Sequence, residues 1–455
     1  MNPSSSGPPA LSRPPAPWRD PALAPYSALV GALLPLALAR LAWRGLREPG
    51  YREGWGERLG LRPPPLAPGV VWVHACSVGE VQAASPLVGW LLERGERVLL
   101  TTTTPTGAAR ARALLRGRLS SGRRGGWGRR GGEGGGTHAY LPFDRPGAAA
   151  RWVAALRPRL LLLMETELWP NLLRACARAG VPTLLANARL SARSARGYRL
   201  LGPLARRMLA DLALVAAQEE ADARRFVALG MEPARVRVTG SLKYDVAPPE
   251  GAAEEARRLR RAWGRQRPVA LAASTHAPEE AAVLDAFACL RRELPEALLL
   301  WAPRHPARWG PVAERCRERG WAVARRSAGP PGPGTAVYLV DTLGELPLLC
   351  AAADAAFVGG SLFPHGGHNP LEPAALGVPV ACGPHTFNFE APCRELEAAG
   401  ALVRVASPGE LAAAWRRWLA DPRGRERAGA AAREAVARRR GALARLQEIV
   451  SEFLW

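Results

Sequence analysis

A chain of 455 residues has room for two or three domains, and 48% hydrophobic against 22% charged residues is a globular composition rather than a disordered one. A formal net charge of +22 calls for a polyanionic partner. Because that charge is spread along the chain with no nucleic-acid motif beside it, a membrane surface or an anionic substrate is favoured over DNA or RNA, and no nucleic-acid partner is expected.

Met1 to Pro21, rich in Pro and Ser, is expected to be disordered. Ala22 to Trp43 is mostly apolar, interrupted by Pro25, Pro35 and Arg40, and is long enough to cross a bilayer or to lie in its interface. Arginines at 44, 47, 52 and 58 follow it, against Arg13 and Arg19 before it, so the positive-inside rule puts the rest of the chain in the cytoplasm. No small-residue cleavage site follows the run. An uncleaved anchor over residues 22–50 is therefore expected, with an amphipathic docking helix as the alternative. Seven cysteines, odd in number and without a CxxC pair, fit a reduced, cytosol-facing protein.

Val70 to His74 reads as a strand, and a helix begins near Gly79 and runs to Arg94. The small-residue loop Ala75-Cys76-Ser77-Val78-Gly79-Glu80 places a carboxylate where that helix opens. The helix dipole favours an ionised Glu80, and a partly enclosed carboxylate whose pKa is lifted by burial suits a general base. An ordinary first-turn glutamate is the competing reading. Val98 to Thr104 is a strand, a helix runs through Leu115, and Gly117 to Gly136 is a low-complexity loop. Pro158 to Met164 is apolar without alternation, as in a buried parallel strand. It delivers Glu165, Thr166 and Glu167 at its carboxyl end, and strand alternation would put both acids on one side. Such a pair can divide acid and base work, or one acid can cap the helix near Pro170. Val181 to Ala186, with the loop Asn187 to Ser191, then Leu212 to Ala217 and Val236 to Thr239, complete a first α/β series. Gly240 to Asp245 reads as a crossing between domains. Of the 62 basic residues Lys243 is the only lysine, and a compact ammonium differs from a guanidinium in charge density and reach.

A second series follows the Arg-rich helix Glu254 to Gly264. Its strands are Val269 to Ala273, leading to Ser274-Thr275-His276; Ala297 to Ala302, leading to Pro303-Arg304-His305-Pro306; and Val337 to Val340, leading to Asp341 to Leu346. An arginine at a strand end suits a phosphate or a base carbonyl. Ala355 to Val358 is the next strand. A loop carrying Gly359, Gly360, Gly366 and Gly367 follows, then a helix from near Asn369 to Gly377 and a strand from Val378 to Cys382. Parallel strands joined this way bind ligands at their carboxyl ends. The glycines let a ligand approach the backbone, and Glu372 is placed to accept from ribose hydroxyls; helix capping by Asn369 and Glu372 is the alternative. His365, His368 and His385 lack zinc spacing, so no metal is expected.

In order along the chain, Trp72 to Glu80, Glu165 to Asn171, Asn187 to Ser191, Gly240 to Asp245, Pro303 to Pro306 and Gly366 to Pro373 resemble the motifs of the 3-deoxy-D-manno-octulosonic acid (Kdo) transferases. The resemblance implies an α/β protein of the GT-B glycosyltransferase type, with two Rossmann-like domains facing a central cleft behind an N-terminal hydrophobic anchor helix. Residues 51–240 would be the acceptor-binding domain and 241–455 the nucleotide-sugar-binding domain. It further implies an inverting, metal-independent enzyme without cofactor, at the cytoplasmic face of the inner membrane. The donor would be CMP-Kdo and the acceptor the 6′-hydroxyl of the lipid A precursor. By resemblance Glu80 is the general base, Glu165 and Lys243 support the transition state, and CMP contacts fall on Pro303, Arg304, Gly344, Glu345, Leu346, Asn369, Leu371 and Glu372. A nucleotide-sugar 2-epimerase and a non-enzymatic basic membrane protein are the rival readings. The apolar N-terminus argues against the first, and the succession of sites at strand ends against the second.

Overall fold

The computed structural model describes residues 23–120, 135–246 and 251–455, the side chains of 117–120 excepted. The expected disorder of Met1 to Pro21 and most of the expected loop Gly117 to Gly136 lie outside the described residues.

The chain forms two units, the first comprising residues up to Leu242 together with Gly441–Trp455, the second Lys243–Arg440. The first is built on β1 (Val71–His74), β2 (Val98–Thr102), β3 (Gly136–Tyr140), β4 (Leu160–Met164), β5 (Thr183–Ala188), β6 (Leu214–Ala217) and β7 (Val236–Val238). They lie in the order 3-2-1-4-5-6-7, every adjacent pair parallel. Trp72, Leu99, Leu161, Leu163 and Leu185 enter one buried cluster, while Val71, Val73, Leu100, Leu162 and Leu184 enter another. Period-two alternation thus fills both faces, which is why these strands read as unbroken apolar runs.

The second unit carries β8 (Val269–Thr275), β9 (Leu298–Pro303), β10 (Val323–Arg325), β11 (Val337–Leu339), β12 (Ala355–Val358), β13 (Val380–Cys382) and β14 (Leu402–Arg404), also all parallel, in the order 10-11-9-8-12-13-14. Each unit is Rossmann-like, as the resemblance implied. In each, the sheet order reverses beside its first strand, so the crevice favoured by ligands opens at the carboxyl ends of β1 and β4 in one and of β8 and β12 in the other.

Some expectations are corrected. The helix Pro105–Ser120 runs past Leu115, and β3 begins at Gly136, so both ends of the expected low-complexity loop belong to regular structure. The short strands β10 and β14 carry arginine and too few apolar residues to stand out. The terminal helix Ala442–Leu454 does not extend the second domain to 455: Leu446, Ile449, Val450 and Leu454 are buried in the first unit's core. The N-terminal helix runs Ala24–Arg47 and contains an 18-residue stretch with a mean hydropathy of 1.5, long and apolar enough by length and composition to cross a membrane.

Candidate active site and donor site

At the reversal point of the first sheet, β1 ends at His74 and Ser77 caps the helix Val78–Glu93 by accepting from the Glu80 amide at 3.4 Å. Glu80 answers: its Oε2 accepts from the Cys76 amide at 2.8 Å and its Oε1 from Ser77 Oγ at 2.9 Å. This is a capping box shifted by one residue, which fixes the carboxylate in one position. An exposed capping glutamate is held acidic by the helix dipole, but this one is pushed up to about 7. Burial is the main cause. The Cys76 amide opposes it, and the charges of Glu167 and Glu165 add to it. The Cys76 thiol, pushed up to about 12 chiefly by burial, lies 2.7 Å from Thr103 Oγ1.

β4 ends at Met164, and Glu165 beyond it is left-handed at φ 54°, a conformation sparsely populated by side-chain-bearing residues. Strand alternation therefore does not place the two acids. A left-handed residue and a turn do so, with the Glu167 amide donating to Met164 O at 3.3 Å. Glu167 Oε2 lies 3.7 Å from Nε2 of the fully buried His74. One donor atom each from Cys76, Glu80 and Glu167 lie within 4.8 Å of one another. Glu165 and Glu167 thus both raise the electrostatic cost of ionising Glu80, an arrangement typical of proton-transfer sites.

In the second unit, Glu279 is the organising residue that sequence reasoning missed. Wholly buried, its carboxylate accepts from the amides of His276 (3.1 Å), Gly360 (2.8 Å), Ser361 (2.9 Å) and Leu362 (3.0 Å). It ties the loop after β8 to the glycine loop after β12. Gly359 has no room for a side chain: a Cβ there would lie 2.7 Å from Thr275 Cα and 2.8 Å from Glu279 Oε2. The only signal in sequence was a pair of acids three residues beyond Thr275-His276.

The same two loops assemble His276, His365 and His368, whose donor atoms lie within 4.8 Å of one another; His385 is not among them. Burial, with Arg304 and the other histidines adding, lowers His276 to about 4 and His368 to about 3. Their Nε2 atoms are 2.8 Å apart, a hydrogen-bond distance shorter than the roughly 3.3 Å between two nitrogens of a tetrahedral metal. At that distance one Nε2–H can donate to the other Nε2 when both rings are neutral.

Arg304 follows β9 and is exposed, its amide donating to Thr275 O at 2.9 Å, and Pro303 is buried as the last residue of β9. Gly344 turns the chain at φ 87° into the short helix Leu346–Ala351, where Leu346 packs partly buried against the core. The Glu345 carboxylate, expected to face a nucleotide, is held by Arg326 at 2.8 Å and by Thr342 Oγ1, which keep it below the usual carboxylate range. The helix expected from Asn369 is only Leu371–Ala375. Asn369 Oδ1 accepts from the Leu371 amide at 3.0 Å and its Nδ2 donates to Glu372 Oε1 at 3.3 Å, but the residue at the N-cap of the helix is Pro370, so Asn369 is not the cap that the alternative reading expected. Leu371 is fully buried. Lys243 opens the second unit. Its Nζ donates to Asn388 O at 3.4 Å and lies 5.0 Å from the Phe389 ring centroid.

Residues 53–246 match the family described as 3-deoxy-D-manno-octulosonic-acid transferase (kdotransferase). A 3-deoxy-D-manno-octulosonic acid transferase of Bordetella pertussis is 42% identical over 94% of this chain and 99% of its own. One of Haemophilus influenzae is 37% identical over 94% and 98%. Among solved structures, a UDP-GlcNAc 2-epimerase from Neisseria meningitidis shares the fold at 13% identity with a TM-score of 0.53, over 84% of this chain and 99% of that one. Likeness at nearly full length, with a preorganised carboxylate at one sheet reversal and a glycine loop at the other, identifies the chain as a member of the Kdo transferase family of glycosyltransferases.

Proposed function

We propose that this protein transfers Kdo from CMP-Kdo to the 6′-hydroxyl of the lipid A precursor, at the cytoplasmic face of the inner membrane, with inversion and without a metal. One observation carries the assignment of the base: a carboxyl group titrating near neutrality, fixed by two hydrogen bonds at the carboxyl end of β1. In this reading the Glu80 carboxylate takes the proton of the acceptor hydroxyl as its oxygen bonds to the anomeric carbon of Kdo. The bond from that carbon to the CMP phosphate oxygen breaks, and CMP leaves with the electron pair. Glu165 stands beside the base and supports the positive character of the transition state, while Lys243 and Arg304 offset the charge gathering on phosphate. Pro303, Gly344 and Leu346 would meet CMP mainly through backbone and surface shape, and the buried Leu371 would set the shape of the CMP site from behind. Asn369 and Glu372 supply polar contacts, and Glu345 would act through its fixed position beside Arg326.

The test is Kdo transfer from CMP-Kdo, generated in situ, to tetra-acylated lipid A precursor in detergent containing EDTA, with Glu80→Gln alongside wild type. Product from wild type and near-total loss in a folded variant supports the reading. An inactive wild type with donor and acceptor both present refutes it, as does an active Glu80→Gln.

A further inference from the structure

The N-terminal helix is about 36 Å long at 1.5 Å per residue, more than the roughly 30 Å hydrocarbon core of a bilayer. Length alone would let it span. Its contacts argue otherwise, because both of its ends touch the same folded unit. At the start, Leu23 is buried, Tyr26 Oη donates to Asp144 Oδ2 at 3.0 Å, and Ser27 Oγ donates to Asn171 Oδ1 at 3.0 Å. Asp144 is itself fixed, accepting from the amides of Asn171 and Leu172 at 2.9 Å each. At the other end Gly45 is buried against Arg52, and Arg44 lies over the buried ring of Tyr51 at 4.1 Å. Gly50 beside them packs on Pro105, where a Cβ would come within 2.9 Å.

Between these ends burial has helical period. Val30, Leu34, Ala37, Leu38 and Leu41 are partly covered, while Leu29, Leu33, Leu36, Trp43 and Leu46 stand between 49% and 70% exposed. The helix's two hydroxyls are both spent on the body of the first unit, and its exposed arc carries no polar side chain except Arg40 and Arg47. Those two arginines fall within the leucine stripe, where long side chains reach headgroup phosphates while their stems stay in apolar surroundings.

We propose that Ala24–Arg47 lies in the plane of one membrane leaflet, with the Leu29/Leu33/Leu36/Trp43/Leu46 stripe sunk among the acyl chains of an anionic bilayer, and does not cross it. A spanning helix would carry one end a bilayer's thickness away from the first unit and break either the Tyr26 and Ser27 contacts or those of Arg44 and Gly45. The occupant is a lipid surface because the exposed arc is apolar, its only charges are cationic, and the whole chain carries +22. The inference rests on the membrane attachment proposed above but not on the transfer chemistry, and it is read without an activity assay.

The experiment uses the full chain bound to vesicles of phosphatidylethanolamine and phosphatidylglycerol, with the exposed Cys289 replaced by serine. Spin labels at Leu29→Cys, Leu36→Cys and Leu46→Cys, all exposed positions, report depth by oxygen and nickel-chelate accessibility. The same shallow depth at all three is expected. In parallel, the pair Ser27→Cys and Asn171→Cys should form a disulfide on oxidation while membrane-bound. A depth profile that peaks at residue 36 and falls off towards 29 and 46 overturns the proposal, whatever the disulfide does. So do cross-links between copies through residue 36, which would make a second chain the occupant. Failure to float with vesicles at all would refute the membrane attachment itself.

Discussion

Glu80 is pulled two ways by its setting. Its two hydrogen bonds make it a good cap, yet burial and two neighbouring acids hold its carboxyl near 7 rather than 4.5. If it is the base, the rate with limiting acceptor rises with pH and levels off above an apparent pKa of about 7, and Glu80→Gln removes that limb with a loss on the order of 10³-fold. Stability runs the other way. The folded state keeps a proton that the unfolded chain releases near 4.5, so native stability contributed by this group is full at low pH and is lost as pH rises from about 4.5 to about 7. Glutamine escapes that loss. Glu80→Gln is expected to match wild type in denaturant titration at pH 4.5 and to exceed it by about 2–3 kcal/mol at pH 8; equal stability at both pH values would show that Glu80 is not strained by its setting. Glu80, Lys243 and Arg304 stood out in sequence by position or rarity. Glu279 did not, because its importance comes from the four amides that the fold delivers to it.

The loop elements set the candidate donor site. Sequence periodicity placed β12 at its observed limits, and the apolar runs of β4 and β9 were recovered to within two residues, since strands covered on both faces leave little choice of residue type. The turn at Glu165 and the two-loop clamp around Glu279 follow no period and were not foreseen. Removing that carboxylate leaves three glycine-loop amides without their acceptor. Glu279→Ala should cost about 3–5 kcal/mol in chemical denaturation and weaken CMP binding in calorimetry, with Glu279→Gln intermediate. Undiminished stability in Glu279→Ala would mean that the loop is held by other contacts.

At the scale of the molecule, the chain closes the first unit with its last fifteen residues, Gly441–Trp455. Leu446 and Ile449 are buried there beside Val73, Leu91 and Leu162. Leu446→Ala is expected to lower the first unit's stability by about 2–4 kcal/mol while leaving CMP binding to the second unit unchanged, read as separate transitions in calorimetry. A shift in the second unit's transition instead would reassign the helix. The sequence by itself determined the doubly covered parallel strands, the glycine loops, the apolar N-terminal helix and the acids at strand ends, because period and residue chemistry are local properties. Only the tertiary structure decided the sheet orders, the return of the C-terminal helix, the raised pKa of Glu80, the Glu279 clamp and the stripe that the N-terminal helix leaves bare. Each of these depends on which distant segments supply a neighbour, a hydrogen-bond donor or a desolvating wall, and no local pattern records that.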